Sequence, residues 1–314
     1  MGYMESYKAW CANEYFDEAT RAELKSIEGN EKEIEDRFYK DLEFGTGGLR
    51  GVIGNGTNRM NIYTVRKATQ GLANFIKKEN AADRGVAIAY DSRRMSPEFA
   101  DEAALCLNAN GIKAYIFPSL RPTPELSFAV RQLHCIAGIV ITASHNPAIY
   151  NGIKVFTYGG RDADEIQTKD IEKWLLEAEK LYTPCHEEDG QMPPPSYTEL
   201  VKQGIVEEIN PMNEYLDNIL SVINVDAIRK RDLRVAVDPM YGVSLTALST
   251  ILAVARCTVE TINAQHDTLF GGKMPAPAED TLKNLQNYVL DRYCDIGIAT
   301  DGDADRLGVI DDKG

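Results

Sequence analysis

The feature that most constrains this chain is an alternation of short apolar runs, each ending on a polar loop, with stretches of helical spacing. Strands expected over 85–90, 137–141, 233–238 and 295–300 end at or beside Asp91, Thr142, Asp238 and Asp301. Apolar runs of this length without polar interruption read as strands buried on both faces. Helices between such strands imply a mostly parallel sheet with right-handed crossovers. At 314 residues the chain exceeds one ordinary core. The expected fold class is therefore α/β: two successive α/β domains with mixed, mostly parallel sheets and helices on both faces.

The remaining elements fit around that frame. Helical spacing marks 65–78, 162–181, 211–222 and 278–290, and a further helix starts at Ser244. Ser96-Pro97 opens a helix with a capping residue and a proline at its start, Gly111 closes it, and Thr123-Pro124 opens another. Tyr150-Asn151-Gly152 is a tight-turn signal leading into an antiparallel strand over 153–157. Residues 1–40 read as one or two helices packed on the outside. The segment 44–51, Phe-Gly-Thr-Gly-Gly-Leu-Arg-Gly, is too glycine-rich for a helix or a central strand.

Pro184 and Pro193 to Pro195 mark the expected domain boundary. This predicts a helical extension over 1–40, a first domain over 41–190, a linker over 191–205 and a second domain over 206–314. The halves echo each other, as in the Cys-x-x-Gly-Ile pattern shared by Cys135 and Cys294, and two copies of one unit would face their strand-end loops into one cleft. The close, a strand-like run over 307–310 and a turn over 311–314, predicts the N-terminal portion of a longer protein.

A net charge of −14 argues against wholesale binding to nucleic acid or an anionic membrane. It leaves room for a phosphorylated substrate, which needs only a local cationic cluster. The six cysteines show no metal-ligand spacing, and with no signal-peptide pattern and no membrane-spanning run the expected location is cytoplasmic. Met1-Gly2 with Ser6 fits the loose myristoylation pattern, which chance explains better.

Two strand ends carry chemistry. Thr142-Ala143-Ser144-His145-Asn146-Pro147 places a hydroxyl at the carboxyl end of a strand, where open α/β sheets bind ligands. Asp301-Gly302-Asp303-Ala304-Asp305-Arg306 takes the corresponding place in the second half. Three such carboxylates repel, and a hard cation such as Mg²⁺ removes that cost. An acidic surface turn shows the same triplet; the place at a strand end favours the metal. A calcium loop requires Gly and Glu where this chain has Arg306 and Asp312. An aspartate-nucleophile phosphatase carries its DxD near the start of a domain, whereas little follows this one. Ser144 can supply an in-line oxygen nucleophile, His145 can orient a phosphate, and Arg50 can fork onto phosphate oxygens. Lys154 can carry a proton if desolvated. Each also has a plainer reading as a turn residue or a solvated charge.

Together Thr142 to Pro147, Asn151-Gly-Ile-Lys154, the glycine segment from Gly45 to Gly51 and Asp301 to Arg306 resemble the α-D-phosphohexomutase superfamily. The helical leader and the form of the serine motif are most similar to its phosphoglucomutase/phosphopentomutase branch. The resemblance implies a four-domain enzyme, of which this chain carries domains I and II and lacks III and IV. It implies a phosphoserine at Ser144, Mg²⁺ held by Ser144, Asp301, Asp303 and Asp305, and acid/base or phosphate work for His145 and Lys154. Arg50, Arg306, Asn146 and Thr142 are then the phosphate-binding groups, and the partners are a phosphosugar and its bisphosphate. The full protein is expected to interconvert sugar 1- and 6-phosphates, most simply of glucose, and this chain alone to be nearly inactive. A non-catalytic phosphate or metal module, a phosphatase, and pentose or mannose specificity remain open alternatives, as does the oligomeric state.

Overall fold

The computed structural model describes residues 2–45, 48–176 and 196–314. The leader forms three helices rather than one or two: α1 (Tyr3–Ala12), α2 (Glu18–Ser26) and α3 (Glu31–Phe38). Asp17 and Asn30 break the run, because each side chain accepts a hydrogen bond from a backbone N–H of the following helix. Tyr7, Leu24, Ile34 and Phe38 form the core of this small unit.

After the glycine segment, whose Thr46 and Gly47 lie outside the described residues, come β1 (Leu49–Val52), α4 (Ile62–Lys78) and β2 (Val86–Tyr90). Asn61 starts α4 through a reciprocal cap with Thr64. The order continues with α5 (Ser96–Ala109), β3 (Ala114–Ile116), α6 (Thr123–Gln132), β4 (Ala137–Ile141), β5 (Tyr150–Thr157) and α7 (Glu165–Leu176). The expected turn at 150–152 is corrected: those residues already belong to β5, and the chain reverses at 144–149. Asn151 and Gly152 suit the strand because Asn151 is buried and donates to Ser96 and the Arg94 carbonyl.

Beyond the boundary stretch lie α8 (Tyr197–Lys202), β6 (Val206–Glu208), α9 (Met212–Val222), α10 (Val225–Arg229) and β7 (Arg234–Asp238). They are followed by α11 (Leu245–Val254), β8 (Thr258–Thr261), α12 (Lys283–Arg292), β9 (Ile296–Thr300) and β10 (Leu307–Asp311). The linker expected over 191–205 and the second domain expected from 206 are corrected here. Strand β6 pairs with β3, and Leu200 and Val206 are buried in the first core. The first unit therefore runs through Glu208. Residues 177–195, which include the proline cluster and the end of the long helix expected over 162–181, lie outside the described residues.

Two separate sheets result, ordered β1-β5-β4-β2-β3-β6 and β10-β9-β7-β8. Pairs β4–β2, β2–β3, β3–β6, β9–β7 and β7–β8 are parallel, and β1–β5, β5–β4 and β10–β9 are antiparallel. Helices cover both faces of each sheet, with α4 and α5 opposite α6 in the first and α11 opposite α12 in the second. The order β5-β4-β2-β3 matches β10-β9-β7-β8 in sequence and direction. In both units the chain runs from β2 (or β7) toward one edge of the sheet, to β3 (or β8), and from β4 (or β9) toward the other, to β5 (or β10). A crevice forms there between the carboxyl ends of β2 and β4, and of β7 and β9.

The boundary is testable at Leu200. In a linker, truncating it would shift stability by no more than about 0.5 kcal/mol. As a core residue, Leu200→Ala is expected to cost about 2–4 kcal/mol, measured by urea unfolding.

Candidate active site

Ser144 sits two residues beyond Thr142, the first residue after β4, in the left-handed region at φ 52°. That conformation costs a non-glycine residue on the order of 1 kcal/mol, so its surroundings must impose it. They do so from three directions. The Thr142 hydroxyl accepts from Ser144 N–H at 2.8 Å and donates to Asp91 at 2.7 Å. Arg93, wholly buried, donates to the carbonyls of Ser144 and Asn146, each at 2.7 Å, and of Pro147 at 2.8 Å and Tyr150 at 3.0 Å. Asp91, also buried, faces Arg93 Nε at 3.2 Å and accepts from Ser96 Oγ and Arg93 N–H.

The aspartate loop meets this turn from the second unit. Ser144 Oγ donates to Asp301 Oδ2 at 2.8 Å. Asp301 Oδ1 accepts from the backbone N–H groups of Asp305 and Arg306, which close the loop on itself. Gly302 is required where it stands, since a Cβ there would lie 2.9 Å from the Ser144 carbonyl oxygen. One carboxylate oxygen from each of Asp301, Asp303 and Asp305 lies within 4.8 Å of the others.

The charges divide unevenly among them. Burial, then Asp303, pushes the Asp301 carboxyl up to about 7. Burial also works against Asp303, but the Lys154 ammonium outweighs it and holds that carboxyl below its ordinary value. Lys154 Nζ, on β5, donates to Asp303 Oδ2 and Asp305 Oδ2 at 2.7 Å each. Desolvation is the largest influence on the lysine, yet the two carboxylates together raise it. Lys154 is thus desolvated, as its expected role demanded, while its aspartate partners strengthen its hold on the proton.

Asp303 Oδ1 is buried without a hydrogen-bond partner. Such an orphan beside two further carboxylates and a serine hydroxyl fits a hard, oxygen-loving cation. The residues present therefore fit Mg²⁺.

The other expected groups gather on the outer side. His145 Nδ1 lies 3.3 Å from Ser144 Oγ; burial, then Arg306 and Arg50, lowers its pKa. Arg50, on β1, donates to Asn146 Oδ1 at 3.4 Å while its buried Nε has no partner. Arg306 lies 3.9 Å from Asp305, with its side chain 55% exposed. Thr142 is corrected: it was expected to bind phosphate, but its buried hydroxyl is committed to Ser144 N–H and Asp91, so it positions the serine.

Three contributors were missed as site residues. Asp91 and Arg93 had a signal, an acid and a base at the end of a buried strand. Thr123 had none: it was read as the start of a helix, yet its N–H donates to the Asp303 carbonyl and its hydroxyl to Asp303 Oδ2.

A serine hydroxyl thus meets a carboxylate cluster, buried at Asp301 and Asp303 and exposed at Asp305, where two α/β units come together, with Arg50 and Arg306 nearby. Residues 41–181 match the family model for phosphoglucomutase/phosphomannomutase α/β/α domain I, and residues 213–314 that for domain II. The chain belongs to the phosphoglucomutase/phosphomannomutase family. It is 33% identical over 308 residues to a phosphoglucomutase of Staphylococcus epidermidis, covering 95% of this chain and 54% of that protein. A phosphoglucomutase of Staphylococcus aureus is 32% identical over 306 residues, covering 94% and 53%. The chain thus spans about half the length of the curated relatives it matches. Among solved structures, a phosphoglucomutase/phosphomannomutase family protein of Burkholderia thailandensis superposes with a TM-score of 0.70 at 25% identity, covering 86% of this chain and 55% of that one.

The raised Asp301 carboxyl has a consequence for stability. Because its folded value of about 7 exceeds the ordinary 3.8, its contribution is fully present below pH 3.8 and is lost as pH rises through about 7. Asp301→Asn removes that charge. In chelator it is expected to melt at a higher temperature than the parent at pH about 8 and close to it at pH about 4, as followed by circular dichroism.

Proposed function

We propose that this chain is the phosphoryl-carrying half of a phosphosugar mutase that interconverts sugar 1-phosphate and sugar 6-phosphate, with glucose as the sugar. The observation that carries the reading is the 2.8 Å contact of Ser144 Oγ with a carboxylate cluster that retains an unpartnered buried oxygen on Asp303. Glucose is taken from the names of the curated relatives. Sugar selection is assigned to the part of the relatives' length that this chain does not match.

In the reaction, phosphorylated Ser144 gives its phosphoryl group to the free hydroxyl of a sugar monophosphate. The phosphorus–oxygen bond to Ser144 breaks, a bond to the sugar oxygen forms, and the hydroxyl proton passes to a base. Return of the other phosphate to Ser144 regenerates the phosphoserine. Ser144, Asp301, Asp303 and Asp305 would hold Mg²⁺, which when bound would supply the positive charge that phosphoryl oxygens need in transfer.

The chain's own residues do the remainder. Arg50 offers a planar fork to phosphate oxygens, with Asn146 bonded to it and Arg306 alongside. His145, whose pKa is lowered, is neutral near pH 7 and can take a proton at Nδ1. Lys154 keeps its proton and serves as the donor. With no helix long and apolar enough to cross a membrane among the described residues, and with free cysteines, we assign the protein to the cytoplasm.

Incubation with glucose 1,6-bisphosphate and Mg²⁺ is expected to place one phosphate on Ser144, read by intact mass and peptide mapping. Ser144→Ala is expected to take none, and Arg50→Ala to load about tenfold or more slowly, as loss of a charged hydrogen-bond donor implies. A parent chain that stays unmodified, or a phosphate mapped elsewhere, rejects the proposal.

A further inference from the structure

Arg93 faces no phosphate, yet it gathers four carbonyls of the serine turn, and one face of its guanidinium is covered from the other unit. Phe270, in the short turn Phe270–Gly272 between β8 and α12, places its ring centroid 4.9 Å from Arg93 Cζ. The ring also borders the aspartate loop: a Cβ added at Gly302 would lie 3.5 Å from it. Phe270 therefore stands between the group that shapes the serine turn and the loop that carries the aspartates.

The segment presenting Phe270 is built for that placement. The Asp267 carboxylate accepts from the N–H groups of Leu269 and Gly271, each at 2.9 Å, and pins the turn. Phe270 is 1% exposed and adopts φ 53°, an uncommon and costly conformation for a bulky residue. His266 Nε2 adds a second tie, 3.1 Å from the Ser92 carbonyl oxygen. A strained aromatic residue held over a buried guanidinium at a contact between units indicates alignment.

We propose that Arg93 and Phe270 form a clasp that sets the position of Ser144 relative to Asp301, Asp303 and Asp305. Both are positioning residues. Arg93 shapes the serine turn, and the cation–π contact registers that shape against the second unit. The metal half of this inference rests on the reading of the site given above. The clasp itself rests on contacts that exist without a metal.

Two readouts on the full chain separate these parts: Mn²⁺ titration followed by electron paramagnetic resonance, and hydrogen exchange of the backbone over 143–150. Phe270→Leu keeps an apolar side chain and loses the π face. It is expected to bind Mn²⁺ about tenfold more weakly, the worth of a desolvated cation–π contact, and to exchange faster over 143–150. Phe270→Tyr keeps the π face and borders a cavity of about 40 Å³ lined also by Tyr241 and Asn284. It is expected to stay within about twofold of the parent, in keeping with a retained cation–π contact. Arg93→Lys keeps the charge, cannot span four carbonyls, and is expected to follow Phe270→Leu. If Leu and Tyr at 270 leave both readouts at the parent value, the clasp is wrong. If exchange separates Leu from Tyr while neither variant nor parent binds Mn²⁺, the clasp stands and the metal reading falls.

Discussion

Asp301 and Asp303, both buried, and the exposed Asp305 bring carboxylate oxygens within 4.8 Å of one another, where like charges repel. At an effective dielectric of about 20, each such pair costs on the order of 3 kcal/mol. Lys154 offsets part of this by bonding Asp303 and Asp305, but one ammonium against three carboxylates leaves an excess of negative charge. The raised Asp301 carboxyl and the lowered Asp303 carboxyl express that imbalance. The cluster is held in place by bonds that do not neutralise it, namely the N–H groups of Asp305 and Arg306, the hydroxyls of Ser144 and Thr123, and the Thr123 N–H. Such an arrangement is suited to a ligand that brings positive charge, while the two units are already joined by the contacts of Ser144, Lys154 and Thr123 with the aspartates.

The duplicated topology explains why both halves reach that point. In each sheet two adjacent parallel strands, β2 and β4 or β7 and β9, connect onward to opposite edges, which opens a crevice between their carboxyl ends. The first crevice presents Asp91 and Thr142; the second presents Asp238 and Asp301. Asp91 and Asp238 do similar work, accepting backbone N–H bonds at the loop each begins: Asp91 from Arg93, Asp238 from Met240. Neither acid faces the cluster directly. Each fixes a loop that in turn fixes a reactive neighbour, Ser144 in one unit and the Gly302 region in the other.

Much of this was legible in the chain. Five-residue apolar runs without alternation, too short for helices and flanked by helical spacing, read as buried strands, and β2, β4, β7 and β9 fall where those runs lie. Ser144, Asp301, Asp303 and Asp305 were legible because strand ends in such sheets are where polar loops converge. The unit boundary was misplaced because prolines are a local signal, whereas β6 belongs to the first sheet through pairing with β3, far back in the chain. The turn at 150–152 was misread for a related reason. Asn-Gly favours a turn in isolation, but here Asn151 is buried and bonded to Ser96 and the Arg94 carbonyl. Thr123 and Phe270 were invisible as site residues because their roles exist only across the contact between units.

The two units supply different things to the site, and the difference bears on how it can work. The first fixes backbone geometry, because Ser144 is held by its N–H, its carbonyl and the carbonyls that follow. Its hydroxyl is left to the ligand side, on Asp301 and close to His145. The second supplies charge from a loop whose glycine lets it approach the Ser144 carbonyl closely. A phosphoryl group on Ser144 would replace the hydrogen bond to Asp301 by a repulsion of like charges. Lys154, Arg50 and Arg306 are too few to cancel both that group and three carboxylates. The same contact that joins the units in the unmodified chain would therefore push them apart in the phosphorylated one unless a cation lies between them. Under the proposed function, charge on the serine and a cation on the aspartate cluster would thus be coupled through one short bond, with Thr123 and Arg93 holding the interface beside it.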